Sequence, residues 1–156
     1  MNVKKIGFVG IVCAVGLFNT VFAQSKTTTV PVTAKVVGTC KFTTTAGSVS
    51  FLLDPSINAP ASGTVVNPTF YCTKNATYTL TADNGQNFLI SRRMVDPANP
   101  AVFIPYTFAF TATGSGNGFS GLPLAMNITS SVLYADFQNA PVSAAYADSV
   151  VVSISP

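Results

Sequence analysis

Residues 27–42 read TTTVPVTAKVVGTCKF, and the alternation in that stretch decides the fold. Its even positions from Val30 run Val30, Val32, Ala34, Val36, Gly38, Cys40 and Phe42, all apolar or small. Its odd positions are Thr27, Thr29, Pro31, Thr33, Lys35, Val37, Thr39 and Lys41, polar except for Pro31 and Val37. A period of two places one set of side chains toward a core and the other toward water, the signature of a half-buried strand. The run is longer than a common strand of about 5–6 residues. It therefore predicts two consecutive strand pieces that divide near Val37-Gly38.

The same period recurs along the chain. Val49, Phe51 and Leu53 alternate before the Asp54-Pro55 turn. Val66, Phe70 and Cys72 share a face, as do Tyr78, Leu80 and Ala82. Further apolar faces are Val102 to Phe110 on even positions, Leu122 to Ile128 on even positions, and Tyr146, Val150, Val152 and Ile154. Val132 to Phe137 is apolar without a clear period. Clusters of Pro, Gly, Asn and Ser separate the runs at 54–63, 96–100, 114–121 and 139–143. Asp83-Asn84-Gly85 and Lys74-Asn75-Ala76 are turn signals, because Asn and Gly tolerate positive φ. Many short strands spaced by turns, with no helical period after residue 23, predict an all-β antiparallel sandwich.

Upstream, residues 1–23 combine Lys4-Lys5, an apolar run from Ile6 to Leu17 and a small-residue Val21-Phe22-Ala23 end. This is the three-part pattern of an export signal, with cleavage expected after Ala23. The apolar run is shorter than the ~20 residues of a spanning helix. Removal takes Cys13 away and leaves 133 of the 156 residues, one domain. Cys40 and Cys72 then remain. In an exported chain, two thiols most simply form one disulfide. Two buried free thiols are the alternative. The bridge would enclose about 31 residues and contribute ~3–4 kcal/mol.

Composition excludes much chemistry. Only 8% of residues are charged, against roughly 25% in an average domain. After cleavage, Lys26, Lys35, Lys41, Lys74, Arg92 and Arg93 face Asp54, Asp83, Asp96, Asp136 and Asp148, a net of +1. No basic face exists for nucleic acid. The chain has no His, Glu or Trp, so the commonest general base and metal ligand are missing. An enzyme, a metal site and a cofactor are not expected. GNGFSG at 116–121 matches GxGxxG in letters, but Pro123 and a strand pattern follow it where a phosphate loop needs a helix. A flexible hairpin loop is expected there. Arg92-Arg93, the sole basic doublet, is expected on a strand edge beside an Asp. Asn75-Ala76-Thr77 and Asn127-Ile128-Thr129 are sequons in form only.

The informative features lie at the ends. The leading alternating segment is long and apolar on one face, and such an unpaired edge invites pairing with another chain. The last strand pattern, Val150, Val152 and Ile154, runs out at Pro156 with no closing strand after it. The expectation is a sandwich one strand short at its end, with a spare strand at its front.

These residues carry a family resemblance over nearly all of the expected mature chain. Val36-Val37-Gly38-Thr39-Cys40, Phe70-Tyr71-Cys72-Thr73-Lys74 with Tyr78-Thr79-Leu80, Arg92-Arg93-Met94 with Pro105-Tyr106, and the run from Tyr146 to Ile154 are its clearest parts. The chain resembles the spore coat protein U domain, which is also the subunit fold of archaic chaperone–usher pili. It departs from the family between Phe110 and Leu133, where a Trp or a Gly-Asp-Gly stretch is common and this chain has a Gly/Ser/Asn loop.

The resemblance implies an incomplete immunoglobulin-like sandwich with a donor-strand segment at 24–35 and a pilin domain at 36–156. Val30, Val32, Ala34 and Val36 would be the donor side chains. Val150, Val152 and Ile154 would edge the acceptor groove, with residues 36–42 on its other side. Cys40 and Cys72 would clamp the first two body strands. The implied partners are a periplasmic pilus chaperone, an outer-membrane usher, and identical or related pilin subunits joined head to tail. The implied place is the periplasm in transit and then a surface fimbria serving adhesion and biofilm. An adhesin, with Phe119 as a loop aromatic, and a spore or cell coat protein are the alternatives on the same fold.

Overall fold

A computed structural model describes residues 24–44, 46–143 and 145–156. The expected export signal at 1–23 lies outside the described residues. The chain divides into a leading unit that ends at Ala34 and a body, Lys35–Pro156. In the leading unit, residues 24–34 form neither strand nor helix and are exposed.

The body is all-β. Its strands in chain order are β1 (Cys40–Phe42), β2 (Ser48–Ser50), β3 (Ala61–Ser62), β4 (Thr64–Val66), β5 (Thr69–Cys72), β6 (Thr77–Ala82) and β7 (Arg93–Asp96). Then follow β8 (Asn99–Pro105), β9 (Thr107–Ala109), β10 (Thr113–Ser115), β11 (Leu124–Ala125), β12 (Thr129–Val132), the one-turn helix α1 (Tyr134–Phe137) and β13 (Val152–Ser155). Every ladder is antiparallel. The sheets run β1-β5-β11, β10-β6-β13, β3-β12-β9, β2-β4 and β7-β8.

Alternation explains the packing. β5 and β6 bury Phe70, Cys72, Tyr78 and Leu80 between them, and these join Met126 and Ile128 in one cluster. The rings of Phe70 and Tyr78 meet edge to face at 5.0 Å. A second cluster, Ile104, Val132 and Phe137, lies under β8, β12 and α1. Cys40 and Cys72 are directly opposite in the β1–β5 register, and a disulfide joins them. It ties the first strand to the buried core cluster.

Both turn signals form as expected. Asn75 has φ 62°. Gly85 has φ 86°, and Asp83 Oδ1 accepts its N–H at 2.9 Å.

Three expectations change. The run 28–42 does not make two strand pieces, since only Cys40–Phe42 enters a ladder and residues 24–39 are exposed. Its even positions keep the period of a strand, and of these Cys40 and Phe42 pack on the core cluster. Residues 134–137 form a helical turn, too short for a 3.6 period to show in sequence. The 116–121 loop is pinned rather than flexible. Gly116 donates to the Ala76 carbonyl at 2.8 Å and accepts from Asn75 N–H at 2.9 Å, and Gly118 donates to the Cys72 carbonyl at 2.9 Å. Gly116 is buried against the backbone of Cys72 and Thr73, where a side chain has no room.

Candidate functional site

The last segment of the body alternates strictly. Tyr146, Asp148, Val150, Val152 and Ile154 are half-buried, while Ala147, Ser149, Val151, Ser153 and Ser155 are exposed. One edge of this segment is paired. Ser153 and Ser155 register with Thr81 and Thr79 of β6. Upstream, the Val151 and Ser149 carbonyls accept from Asp83 and Gln86 N–H at 3.0 and 3.1 Å. Ala147 bridges Val95 of β7. All these bonds use odd residues. Backbone groups alternate in direction along a strand, so those of Val150, Val152 and Ile154 point to the other edge. There they find no strand among the described residues.

Beside that free edge runs an open trough. One part, about 370 Å³, lies between Val49 and Phe51 on one side and Val150 and Val152 on the other, with Phe108 and Ile128 beneath. The next part, about 530 Å³, is lined by Phe51, Leu53 and Pro55, by Pro141, Val142, Ser143 and Tyr146, and by Ile104 and Phe137. Val49, Phe51, Met94 and Tyr146 line both parts, so the two are continuous. The wall at 47–55 repeats the inward pattern: Val49, Phe51 and Leu53 are half-buried while Ser48, Ser50 and Leu52 are exposed. β2 in that wall pairs with β4 alone. The trough is thus lined by core side chains that the body covers only in part and bordered by two strands with an unpaired edge.

A methyl group on Gly38 would lie 3.4 Å from the Cβ of Pro156, so the chain entering β1 sits against the end of β13.

One charged side chain, Asp148, lines the trough beside Ser48, Tyr106 and Ser149. Asp148 Oδ1 accepts from Asn87 N–H at 3.0 Å and from Asn87 Nδ2 at 3.2 Å, and Oδ2 accepts from the Tyr106 hydroxyl at 2.7 Å. Burial, then this bond to a carboxylate, pushes the Tyr106 phenol above its ordinary pKa. Asp83 Oδ1 takes the Val151 N–H at 3.0 Å. The two carboxylates hold the 146–152 wall where β6 has ended and no ladder can.

A family model for the Spore Coat Protein U domain matches residues 26–153. The chain belongs to that family. No curated protein matches it. The Spore Coat Protein U domain is a structural domain of extracellular surface structures, found in chaperone–usher pilus subunits and coats, and its family is not one of enzymes.

In this Spore Coat Protein U domain, Val150 and Val152 line the trough and Ile154 packs into the core cluster beside it. Residues 36–42 do not line it. Val36 is exposed and Phe42 packs on the first cluster, while the wall opposite Val150 is 47–55. Val30, Val32, Ala34 and Val36 all lie in exposed chain. Cys40 and Cys72 are bonded, which answers the open alternative of free thiols.

Arg92 and Arg93 are not paired with a carboxylate. Arg92 lies over the Phe108 ring at 5.4 Å and donates to the Asp83 carbonyl; Arg93 lies over Phe103 at 4.6 Å and donates to the Asn87 carbonyl at 2.7 Å. Both guanidinium groups lie over aromatic faces and donate to backbone oxygens, while Arg92 Nε is buried without a hydrogen-bond partner. Phe119 rests on Tyr71 with ring centroids 6.0 Å apart, a contact that helps seat its loop. No cluster of three or more metal-ligating side chains occurs among the described residues. The 47–55 wall and the Asp83/Asp148 clasp were not singled out from the sequence. The alternation of Val49, Phe51 and Leu53 was the visible signal of the wall; the clasp left none, because its partners lie 42 to 68 residues apart.

Proposed function

We propose that this protein is a structural subunit of a bacterial surface fimbria, assembled by the chaperone–usher route through donor-strand exchange. The observation that carries the reading is the trough: a half-covered core with an unpaired strand edge on each side, in a chain that also carries an exposed segment of strand period. The segment 25–36 of another subunit fills the trough. Val30, Val32, Ala34 and Val36 enter the core, and the free backbone groups of Val150, Val152 and Ile154 gain ladder partners.

Lengths agree. The wall from Gly47 to Pro55 is eight residue steps, about 26 Å when extended, and residues 28–36 span the same number. Three valines buried in the trough contribute roughly 1.5–3 kcal/mol each, and each ladder bond about 0.5–1.5 kcal/mol. Against a total domain stability of about 5–15 kcal/mol, that sum decides whether the body stays folded. Before assembly, a periplasmic chaperone lends the missing strand. At an outer-membrane usher, the next subunit replaces it. A head-to-tail contact that does not close on itself yields a filament.

The test is deletion of residues 25–33. Surface-sheared wild-type material run unheated on a denaturing gel should give a ladder that collapses to monomer on boiling. The deleted protein should give monomer only while still binding its chaperone. A ladder retained after the deletion contradicts the proposal.

A further inference from the structure

The loop at 116–121 does not line the trough, yet it is tied to the body by its backbone. Gly116 exchanges bonds with Asn75 and Ala76, and Gly118 N–H donates to the Cys72 carbonyl. These bonds brace the turn from Cys72 to Ala76 from behind. Ala76 N–H closes that turn on the Thr73 carbonyl at 3.0 Å.

The turn changes what holds the chain before β1. One step beyond the Cys40–Cys72 pair, Thr39 faces Thr73. Thr73 N–H donates to the Thr39 carbonyl at 2.9 Å, as an antiparallel ladder requires. The reciprocal acceptor, the Thr73 carbonyl, is engaged by Ala76, and Thr39 N–H goes to the Thr73 hydroxyl instead, at 3.0 Å. The same hydroxyl is 3.2 Å from the Val37 carbonyl, to which it can donate. One side chain thus holds both ends of residues 37–39. Gly38, between them, packs beside Ala76 as well as Pro156.

We propose that Thr73 is the residue that positions the root of the leading segment, so that successive copies of this chain meet at a stiff joint. The proposal rests on the donor-strand reading. In that reading the next copy holds the segment as far as Val36, and the chain's own body holds it from Val37. No free residue lies between the two holds; were Ala34 the last residue seated, only Lys35 and Val36 would. Each residue brings two soft dihedrals, so such a joint has little freedom, whereas a long linker behaves as a coil. Thr73, backed by the 116–118 loop, then sets how one copy stands on the next.

Two substitutions test it. Thr73→Val removes the hydroxyl and keeps the shape, and Thr73→Ser keeps the hydroxyl. In intact fibres, the Thr39 amide should exchange about two- to tenfold faster in Thr73→Val than in wild type, the effect of one lost hydrogen bond, and at the wild-type rate in Thr73→Ser. Electron micrographs of Thr73→Val fibres should give a shorter persistence length, restored in Thr73→Ser. An unchanged Thr39 rate or an unchanged persistence length in Thr73→Val, beside a normal unheated ladder, overturns the proposal and leaves donor-strand exchange standing. A wild-type protein that gives no unheated ladder overturns both. If Thr73→Val does not assemble, two glycines inserted between Val36 and Val37 decide the matter. A shorter persistence length then supports the stiff joint, and an unchanged one overturns it.

Discussion

Replacing Asp148 with alanine should loosen the wall of the trough. The substitution removes a carboxylate that accepts from Asn87 N–H at 3.0 Å, Asn87 Nδ2 at 3.2 Å and the Tyr106 hydroxyl at 2.7 Å. Bonds to charged groups contribute about 1.5–3 kcal/mol each, and a buried donor left unpaired costs about 1–3 kcal/mol. Asn87 and Tyr106 are only half-buried, so water recovers part of that loss. The expected destabilisation is about 2–4 kcal/mol, a large share of the roughly 5–15 kcal/mol that holds a domain together. Asp148→Asn should cost about 1 kcal/mol, because the amide oxygen still serves Asn87 and the phenol can turn to accept. Urea unfolding of the body with saturating 25–36 peptide measures both. An alanine variant within about 0.5 kcal/mol of wild type, the range of an ordinary surface change, would refute the clasp.

Three further outcomes are expected. Removing the disulfide by Cys40→Ala with Cys72→Ala should lower stability by about 3–4 kcal/mol in urea titrations, because the bond closes a loop of 32 residues' separation. Gly85→Ala should destabilise by more than about 1 kcal/mol in thermal melts, since φ is 86° and a methyl there collides with the Asp148 carboxylate. The Tyr106 phenol, raised above its unfolded value near 10 by burial and by Asp148, contributes stability that is complete below that pH and is lost as pH rises beyond it. Melting temperature should therefore fall above pH 10 in wild type, and less steeply in Tyr106→Phe.

The sandwich was legible because each strand that reached a ladder carries its own period: Thr77–Ala82 and Val152–Ser155 alternate in burial as they alternate in sequence. The leading segment was legible as a strand in pattern, yet residues 24–39 join no ladder. Period two reports which face wants a core and is silent on whether the chain itself supplies the partner. Val150 and Val152 were readable as trough residues through the resemblance. The opposite wall was not, because Phe42 and Phe51 follow the same pattern and only the register of β1 and β2 separates a residue in the core from one on the trough. Arg92 and Arg93 show a different limit. The basic doublet reads as a strand edge beside an Asp, and here Phe103 of β8 and Phe108 of β9 take its charge instead.

Amide hydrogen exchange at Val150, Val152 and Ile154 tests the vacant-edge account most directly. Their backbone groups face the open side of the trough, so in the body lacking residues 25–33 these amides should exchange readily. Adding a synthetic 25–36 peptide should slow all three, while a peptide carrying Val32→Asp should not. Exchange at these amides that is already slow without peptide, or that does not change when the peptide binds, would contradict it.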